Sequence, residues 1–331
     1  MSAQMEPAHL SLGYLQLCDA APLIVAVEKG FFADESLRVS LVREVSWATL
    51  RDKLTAGALD GAHILGPMVL AGRLGLFGSP LPLVAAMPLN RGGAAIALRP
   101  EIAPEDLADV VVRRVAEGRP RLTLATVFPY SIHTYLLRRW LADADVDPDR
   151  DVRLVTAAPS RMLERMATGE IDGFCAGAPW PSLARATGLA KPAVRVDSVW
   201  PDAPDKVLAV RDDFADRRPA LLPRVMRAVI RAAIWADDPA HRTELKTLLS
   251  PPDAVGMGVM APGALDGVSF SADSARTESA AAAFAEDATW TLRRMAEAGQ
   301  IPLDGQGVES AAVDGVFRVD LYADALRSLK I

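Results

Sequence analysis

The segment LTAGALDGAHILGP at 54–67 returns 112 residues later as MATGEIDGFCAGAP at 166–179. Gly57 matches Gly169, Asp60 matches Asp172, Gly61 matches Gly173 and Pro67 matches Pro179, all at one offset. Each copy reads as the end of a helix, a glycine that stops it, and a short apolar strand entered through Asp-Gly. That order is also ordinary helix-to-strand turn chemistry. Read as a pseudo-repeat or as shared turns, it implies the same thing: two similar α/β lobes in one chain.

The surrounding sequence fills in both lobes. HLSLGYLQL (9–17) has strand composition, and a helix opens at Asp19 with Pro22 in its first turn. LRVSLVREV (37–45) alternates with period two, and Ser46 caps a helix that runs to Gly57. In the second lobe, RLTLATVF (121–128) is a strand, and Ser131 caps the helix that follows. DVRLVTAA (151–158) is a strand, and IDGFCAG (171–177) a buried one. Strands separated by helices imply parallel sheets covered on both faces.

AAIALRP (94–100) and KVLAVRDDF (206–214) are the candidate crossings between lobes. They predict a first lobe from residues 1–97 and 199–331, with 98–198 forming the second. Helices over 219–238 and 274–299 are expected to cover the lobes, and the Pro- and Gly-rich stretch 250–270 to be a surface loop. Two crossings imply a cleft, the usual place for a small ligand.

The 331 residues are half hydrophobic and carry a net charge of −6, which argues against direct nucleic-acid binding. Arg113, Arg114, Arg119 and Arg121 are interrupted by Glu117, Gly118 and Pro120 and read as a solvated face. Cys18 and Cys175 have no metal-ligand spacing and suit two free thiols. Residues 1–9 lack the basic-then-apolar pattern of a secretory signal, and Gln16 and Leu17 are too large for a lipoprotein cleavage site at Cys18. No apolar stretch reaches the ~18–20 residues of a membrane span. The expectation is a cytoplasmic chain.

No HExxH, CxxC, GxSxG or Walker A sequence is present, which points away from an enzyme and from a bound cofactor. His9, His63, His133 and His241 show no ligand pairing, so no metal site is expected; His63 reads as a core or cleft-rim histidine.

Several long segments carry a family resemblance: DAAPLIVAVEKGFF, SWATLRDKLTAGALDGAHILGPM, VFPYSIHTYLLRRWLADADVDPDRDVRLV, MATGEIDGFCAGAPW, PDKVLAV and FRVDLYADAL. Through them the chain resembles the nitrate- and bicarbonate-binding branch of ABC-transporter solute-binding proteins. The resemblance implies a two-lobed, periplasmic-binding-protein-like (type II) fold with the ligand between the lobes. SWATLRDKL, together with the lack of a leader, resembles the cytoplasmic nitrate sensors of that branch. This implies nitrate or nitrite as ligand and an RNA-binding antiterminator as protein partner. A transport binding protein remains an alternative, and so does an enzyme on the same fold, such as a thiamine-pyrimidine synthase.

Nitrate is a planar monoanion with acceptor oxygens only, so its site needs donors, positive potential and a flat wall. His133 falls in the first turn of a helix after a strand, where N–H groups and the positive dipole end face a ligand. It matches the family's anion-contacting histidine, with Ser131 as the cap beside it. Lys206 falls where the family's nitrate binders have lysine and its bicarbonate binders an acid. Trp47 matches the residue that walls the pocket. Ala94 stands where the family has Gln or Asn, so a backbone N–H of the Gly92–Gly93 turn, Gly93 in particular, is expected to substitute. The family's GEPW reads Gly177-Ala178-Pro179-Trp180 here, losing a carboxylate.

Overall fold

The computed structural model describes residues 7–191, 194–270, 277–302 and 315–329. Strand β1 (Ala8–Tyr14) buries Leu10, Leu12 and Tyr14 and leads through α1 (Ala21–Glu28) and α2 (Phe31–Asp34) to β2 (Leu37–Arg43). The Ser46 side chain accepts a hydrogen bond from the Thr49 N–H at 3.1 Å and starts α3 (Trp47–Thr55). Gly57, at φ 76°, ends it, because a left-handed residue closes a helix at little cost only when it has no Cβ. The wholly buried β3 (Gly61–Leu65), α4 (Gly66–Arg73) and β4 (Leu83–Pro88) follow.

After β5 (Arg91–Gly92) come β6 (Ala94–Leu98), α5 (Leu107–Ala116), β7 (Thr123–Thr126), α6 (Ile132–Asp143) and β8 (Arg153–Thr156). Next are α7 (Met162–Ala167), β9 (Gly173–Gly177), α8 (Trp180–Ala186), β10 (Val194–Arg195) and α9 (Val196–Val199). The remainder is β11 (Lys206–Arg211), α10 (Asp212–Arg217), α11 (Leu222–Asp237), α12 (Arg242–Leu249), β12 (Val268–Ser269), α13 (Thr277–Glu297) and α14 (Val319–Leu329). Of the helix expected over 274–299, residues 274–276 lie outside the described residues, as do residues 1–6 of the N-terminal stretch.

Two five-stranded sheets form, in the orders β2-β1-β3-β11-β4 and β10-β6-β9-β7-β8, and β12 pairs with β5 between them. The repeat is structural. Leu12 registers with Gly61 in the first sheet, and Leu124 with Gly173, 112 residues on, in the second. Asp60 accepts from the Ser11 N–H at 2.9 Å, and Asp172 accepts from the Thr123 N–H at 2.8 Å. Gly57 and Gly169 share a left-handed φ, 76° and 78°. Three of the four matched residues thus do the same three jobs in two lobes; Pro67 lies within the first turn of α4, whereas Pro179 precedes α8.

The sheets are mixed, not parallel throughout. β11 runs antiparallel to β3 and β4, and β6 antiparallel to β9 and β10, because each is delivered from the other lobe and enters from the opposite end. β6 lies wholly in the second sheet, so the chain leaves the first over residues 89–93, where Gly92 and Gly93 supply two consecutive positive φ angles for the reversal. It returns over 196–205. Helix α11 packs on α1 and α2, α13 on α4 and α14, and α14 on β4.

Residues 250–270 do more than cap a surface. Val255, Val259, Ala264, Leu265 and Val268 are buried. Gln16 donates to the Val255 carbonyl at 2.7 Å, while Ser182 donates to Gly263 at 3.1 Å and Arg185 to Pro262 at 2.6 Å. The stretch is a strap from the end of β1 to helix α8. Pro and Gly break its pattern into single apolar residues, which hides its burial from sequence reading.

Candidate functional site

The site is built from the starts of elements. Lys206 opens β11, and its backbone N–H donates to Asn90 Oδ1 at 3.0 Å. Its side chain, at 1 % relative exposure for the residue, points inward. Nζ donates to Asp19 Oδ2 at 2.8 Å and to Asp205 Oδ2 at 2.5 Å. Asp19 precedes α1, and its other oxygen sits 2.7 Å from His63 Nε2 on β3. Trp47, capped into place by Ser46, lays its ring 5.6 Å from Lys206 Nζ and 5.6 Å from the His63 ring. From the second lobe, His133 in the first turn of α6 brings Nε2 to 3.8 Å from Asp205 Oδ2. Gly177 ends β9 beside them: a Cβ there would lie 3.2 Å from Asp19 Oδ2 and 3.6 Å from His133 Nε2.

Burial and charge decide the protonation states. Burial alone raises the Asp19 carboxyl, but the Lys206 ammonium and His63 outweigh it and hold Asp19 below the ordinary carboxylate range. Asp205 goes the other way: burial dominates, Lys206 offsets only part, and nearby Asp19 adds repulsion, so it is pushed up to about 6. Burial lowers Lys206, yet the two carboxylates more than compensate and keep it charged. Burial depresses His133 strongly, helped by Lys206, and depresses His63 against the pull of Asp19. Burial also raises both free thiols, Cys18 and Cys175, far above the usual range. At neutral pH the cluster holds one ammonium, two carboxylates and two neutral imidazoles.

Among the described residues, eight buried side-chain nitrogen and oxygen atoms lack a hydrogen-bond partner, and five belong to this cluster. They are Trp47 Nε1, His63 Nδ1, both ring nitrogens of His133 and Asp205 Oδ1. An unpartnered buried polar group costs ~1–3 kcal/mol, so such a concentration marks a place where something else is bound. Lys206 has a third ammonium hydrogen beyond its two carboxylates.

The structure brings Trp47, His133 and Lys206 together. Ser131 lies one turn away with its hydroxyl committed, donating to the Phe128 carbonyl at 2.6 Å and accepting from the Thr134 N–H at 3.2 Å. Gly93 lies outside the cluster; its carbonyl accepts from the Ala178 N–H at 3.1 Å, and it lines a separate pocket of about 240 Å³ with Ser182, Arg185, Arg195 and Asp197. Ala94 is buried and pairs with Gly177 across β6 and β9. Sequence reading missed Asp19 and Asp205 as members of the site. Asp19 reads as a helix-opening residue, and Asp205 as half of a surface Asp-Lys pair. Only the fold shows that both face one ammonium.

The lobes are shut over this cluster. The Cys18 N–H donates to the Ala178 carbonyl at 2.8 Å and Trp180 Nε1 to the Gln16 carbonyl at 3.2 Å. At another point Phe77 meets Phe128 and Tyr130 with ring centroids 6.1 and 5.3 Å apart. Among the described residues no set of three or more His, Cys, Asp or Glu is arranged to hold a metal ion, and no helix is long and apolar enough to cross a membrane.

The comparisons agree with this architecture. The chain is 34% identical to the nitrate import ATP-binding protein NrtC of Synechocystis sp. over 98% of its own length and 51% of that protein's. It is 36% identical to the nitrate/nitrite binding protein NrtA of Synechococcus elongatus over 72% of its length and 57% of that protein's. It thus spans about half the length of these relatives. The crystal structure of the periplasmic nitrate-binding protein NrtA from Synechocystis superposes with a TM-score of 0.87 at 27% identity, covering 98% of this chain and 90% of that one. The alkanesulfonate-binding protein SsuA of Xanthomonas axonopodis shares the fold at a TM-score of 0.68 and 17% identity, covering 93% of this chain and 98% of that one. The fold is therefore the α/β, periplasmic-binding-protein-like fold of solute-binding proteins. Residues 3–250 match the model of the NMT1-like family, and the chain belongs to that family.

Proposed function

We propose that the protein is a solute-binding protein for a small planar oxyanion, nitrate or nitrite, and serves as the binding component of a nitrate-type ABC transporter. The observation that carries this reading is the clustering of unpartnered buried polar groups around Lys206 between closed lobes: Trp47 Nε1, the His133 ring and the third hydrogen of Lys206 itself. The Trp47 ring supplies the flat wall. The relatives named for nitrate and nitrite binding support the ligand class, and the NrtC and NrtA matches support the transport role.

Titration calorimetry with nitrate, nitrite, bicarbonate and sulfate is the test. Nitrate or nitrite binds and sulfate does not. His133→Ala and Lys206→Glu each weaken binding at least about tenfold, equivalent to about 1.4 kcal/mol. Unchanged titrations for both variants would take these residues out of the site.

A narrower reading keeps the ligand and changes the output: a cytoplasmic sensor that holds an RNA-binding antiterminator until the anion arrives. Its support is the likeness of SWATLRDKL to such sensors. Closure of the lobes can release a partner only if that partner prefers one form. Gel filtration of the co-expressed pair separates the readings: the sensor gives a complex that nitrate dissolves, and the transport component gives no complex.

A further inference from the structure

The cluster is built for an anion yet carries too little positive charge for one. Lys206 is the one ammonium in it, and Asp19 and Asp205 both touch its Nζ, at 2.8 and 2.5 Å. All three side chains are buried, at 0–4 % exposure. With Asp205 ionised, the group is net negative before any ligand arrives, and a monoanion would add a second uncompensated charge where water cannot screen it. Asp205 Oδ1 is meanwhile an acceptor with nothing to accept from, and the ring of His133, 3.8 Å from the same carboxylate, has neither nitrogen bonded. One hydrogen on this pair removes the second uncompensated charge, and on Asp205 Oδ1 it also gives that unpartnered atom a bond to make.

We propose that the anion enters the site together with one proton taken from solvent and held between Asp205 and His133. On Asp205 Oδ1 it makes the carboxyl a donor toward the ligand; on His133 it makes the ring a donor toward Asp205. On Asp205 the proton leaves one cation, one carboxylate and one anion; on His133 it leaves two cations, two carboxylates and one anion. In both cases the loaded site keeps the single net negative charge it had before the ligand arrived. The proposal rests on the oxyanion reading above and deepens it.

Other groups facing the pair do not take the role. Asp19 is fixed as a carboxylate by Lys206 and His63. Lys206 is already protonated. His63 Nε2 is engaged by Asp19, and the His63 ring packs 5.6 Å from the Trp47 ring. Cys175 on β9 and Cys18 beside Asp19 are neutral thiols. Asp205, pushed up to about 6, is the carboxyl of this cluster nearest to changing state at neutral pH.

The test is nitrate titration of the full chain at pH 7.5 in phosphate, HEPES and Tris. Nitrate carries no proton of its own at this pH, so any proton must come from buffer. The observed enthalpy plotted against buffer ionisation enthalpy has a slope of about one proton per nitrate, and Kd rises about tenfold per pH unit above Asp205's own range. Asp205→Asn carries its hydrogen permanently, so its slope falls to near zero and its Kd becomes independent of pH. Wild-type protein that binds nitrate with zero slope and a flat pH profile overturns the proposal, as does D205N with an undiminished slope. Should D205N fail to fold, the wild-type slope and pH profile decide alone. If neither nitrate nor nitrite binds between pH 5.5 and 8.5, the oxyanion reading itself falls and takes this inference with it.

Discussion

Lys206 is the residue on which the cleft balances, because its ammonium keeps two buried carboxylates tolerable at once. Replacing it with methionine preserves shape and removes the charge, leaving Asp19 and Asp205 without their cation. Breaking a buried ion pair in this way costs ~3–5 kcal/mol. The pH dependence has a definite sign. In Lys206→Met both carboxyls rise above their unfolded values, so the folded state binds more protons than the unfolded one and stability falls as pH climbs. Thermal unfolding of the variant is therefore expected to sit closer to wild type at pH 5 than at pH 8. In the native protein Asp19 works oppositely: its depressed carboxyl contributes stability that is present above the unfolded value and lost as pH falls through the folded one. A deficit that widens toward low pH would show that Lys206 is not what neutralises this pair.

Among the elements, the strap at 250–270 is the one whose removal is expected to alter ligand exchange without touching the cluster. Ser182 and Arg185 hold it to the second lobe through the carbonyls of Gly263 and Pro262. Ser182→Ala combined with Arg185→Ala removes two hydrogen bonds made across the lobes. Stopped-flow measurement is expected to show release about tenfold faster, with slight change in association. Equal release rates would mean the strap does not restrain opening. The strap also shows where sequence reading ends. Ser46, Ser131, Gly57 and Gly169 announce their helix ends because capping and left-handed φ are local chemistry. The pairing of Asp19 with Lys206 spans 187 residues and leaves no local trace. Strand direction had the same fate: β6 and β11 have ordinary strand composition, and only their arrival from the opposite lobe makes them antiparallel. Trp47, His133 and Lys206 were legible through family resemblance and His63 as a core or cleft-rim histidine, whereas Asp19 and Asp205 became visible only once burial was known.

For the whole molecule, the site's burial implies motion. Lys206 and His133 are at 1 % and 0 % exposure, so no anion reaches them unless the lobes part. Small-angle scattering is expected to show a smaller radius of gyration with saturating nitrate than without, as hinge closure around a ligand requires; an identical radius would place binding and closure in separate steps. The two lobes also contribute unequally. Asp19, Trp47, His63, Asp205 and Lys206 come from the lobe built on β1–β4 and β11, and His133 and Gly177 from the lobe built on β6–β10. That second lobe enters and leaves at one spot, since Ala95 on β6 pairs directly with Arg195 on β10. Its two ends are neighbours, so it is a cassette that can be lifted out of one member of the family and spliced into another. A graft of that kind would exchange the histidine-bearing half of the ligand's surroundings while Trp47, the lysine and its two carboxylates stayed where they were.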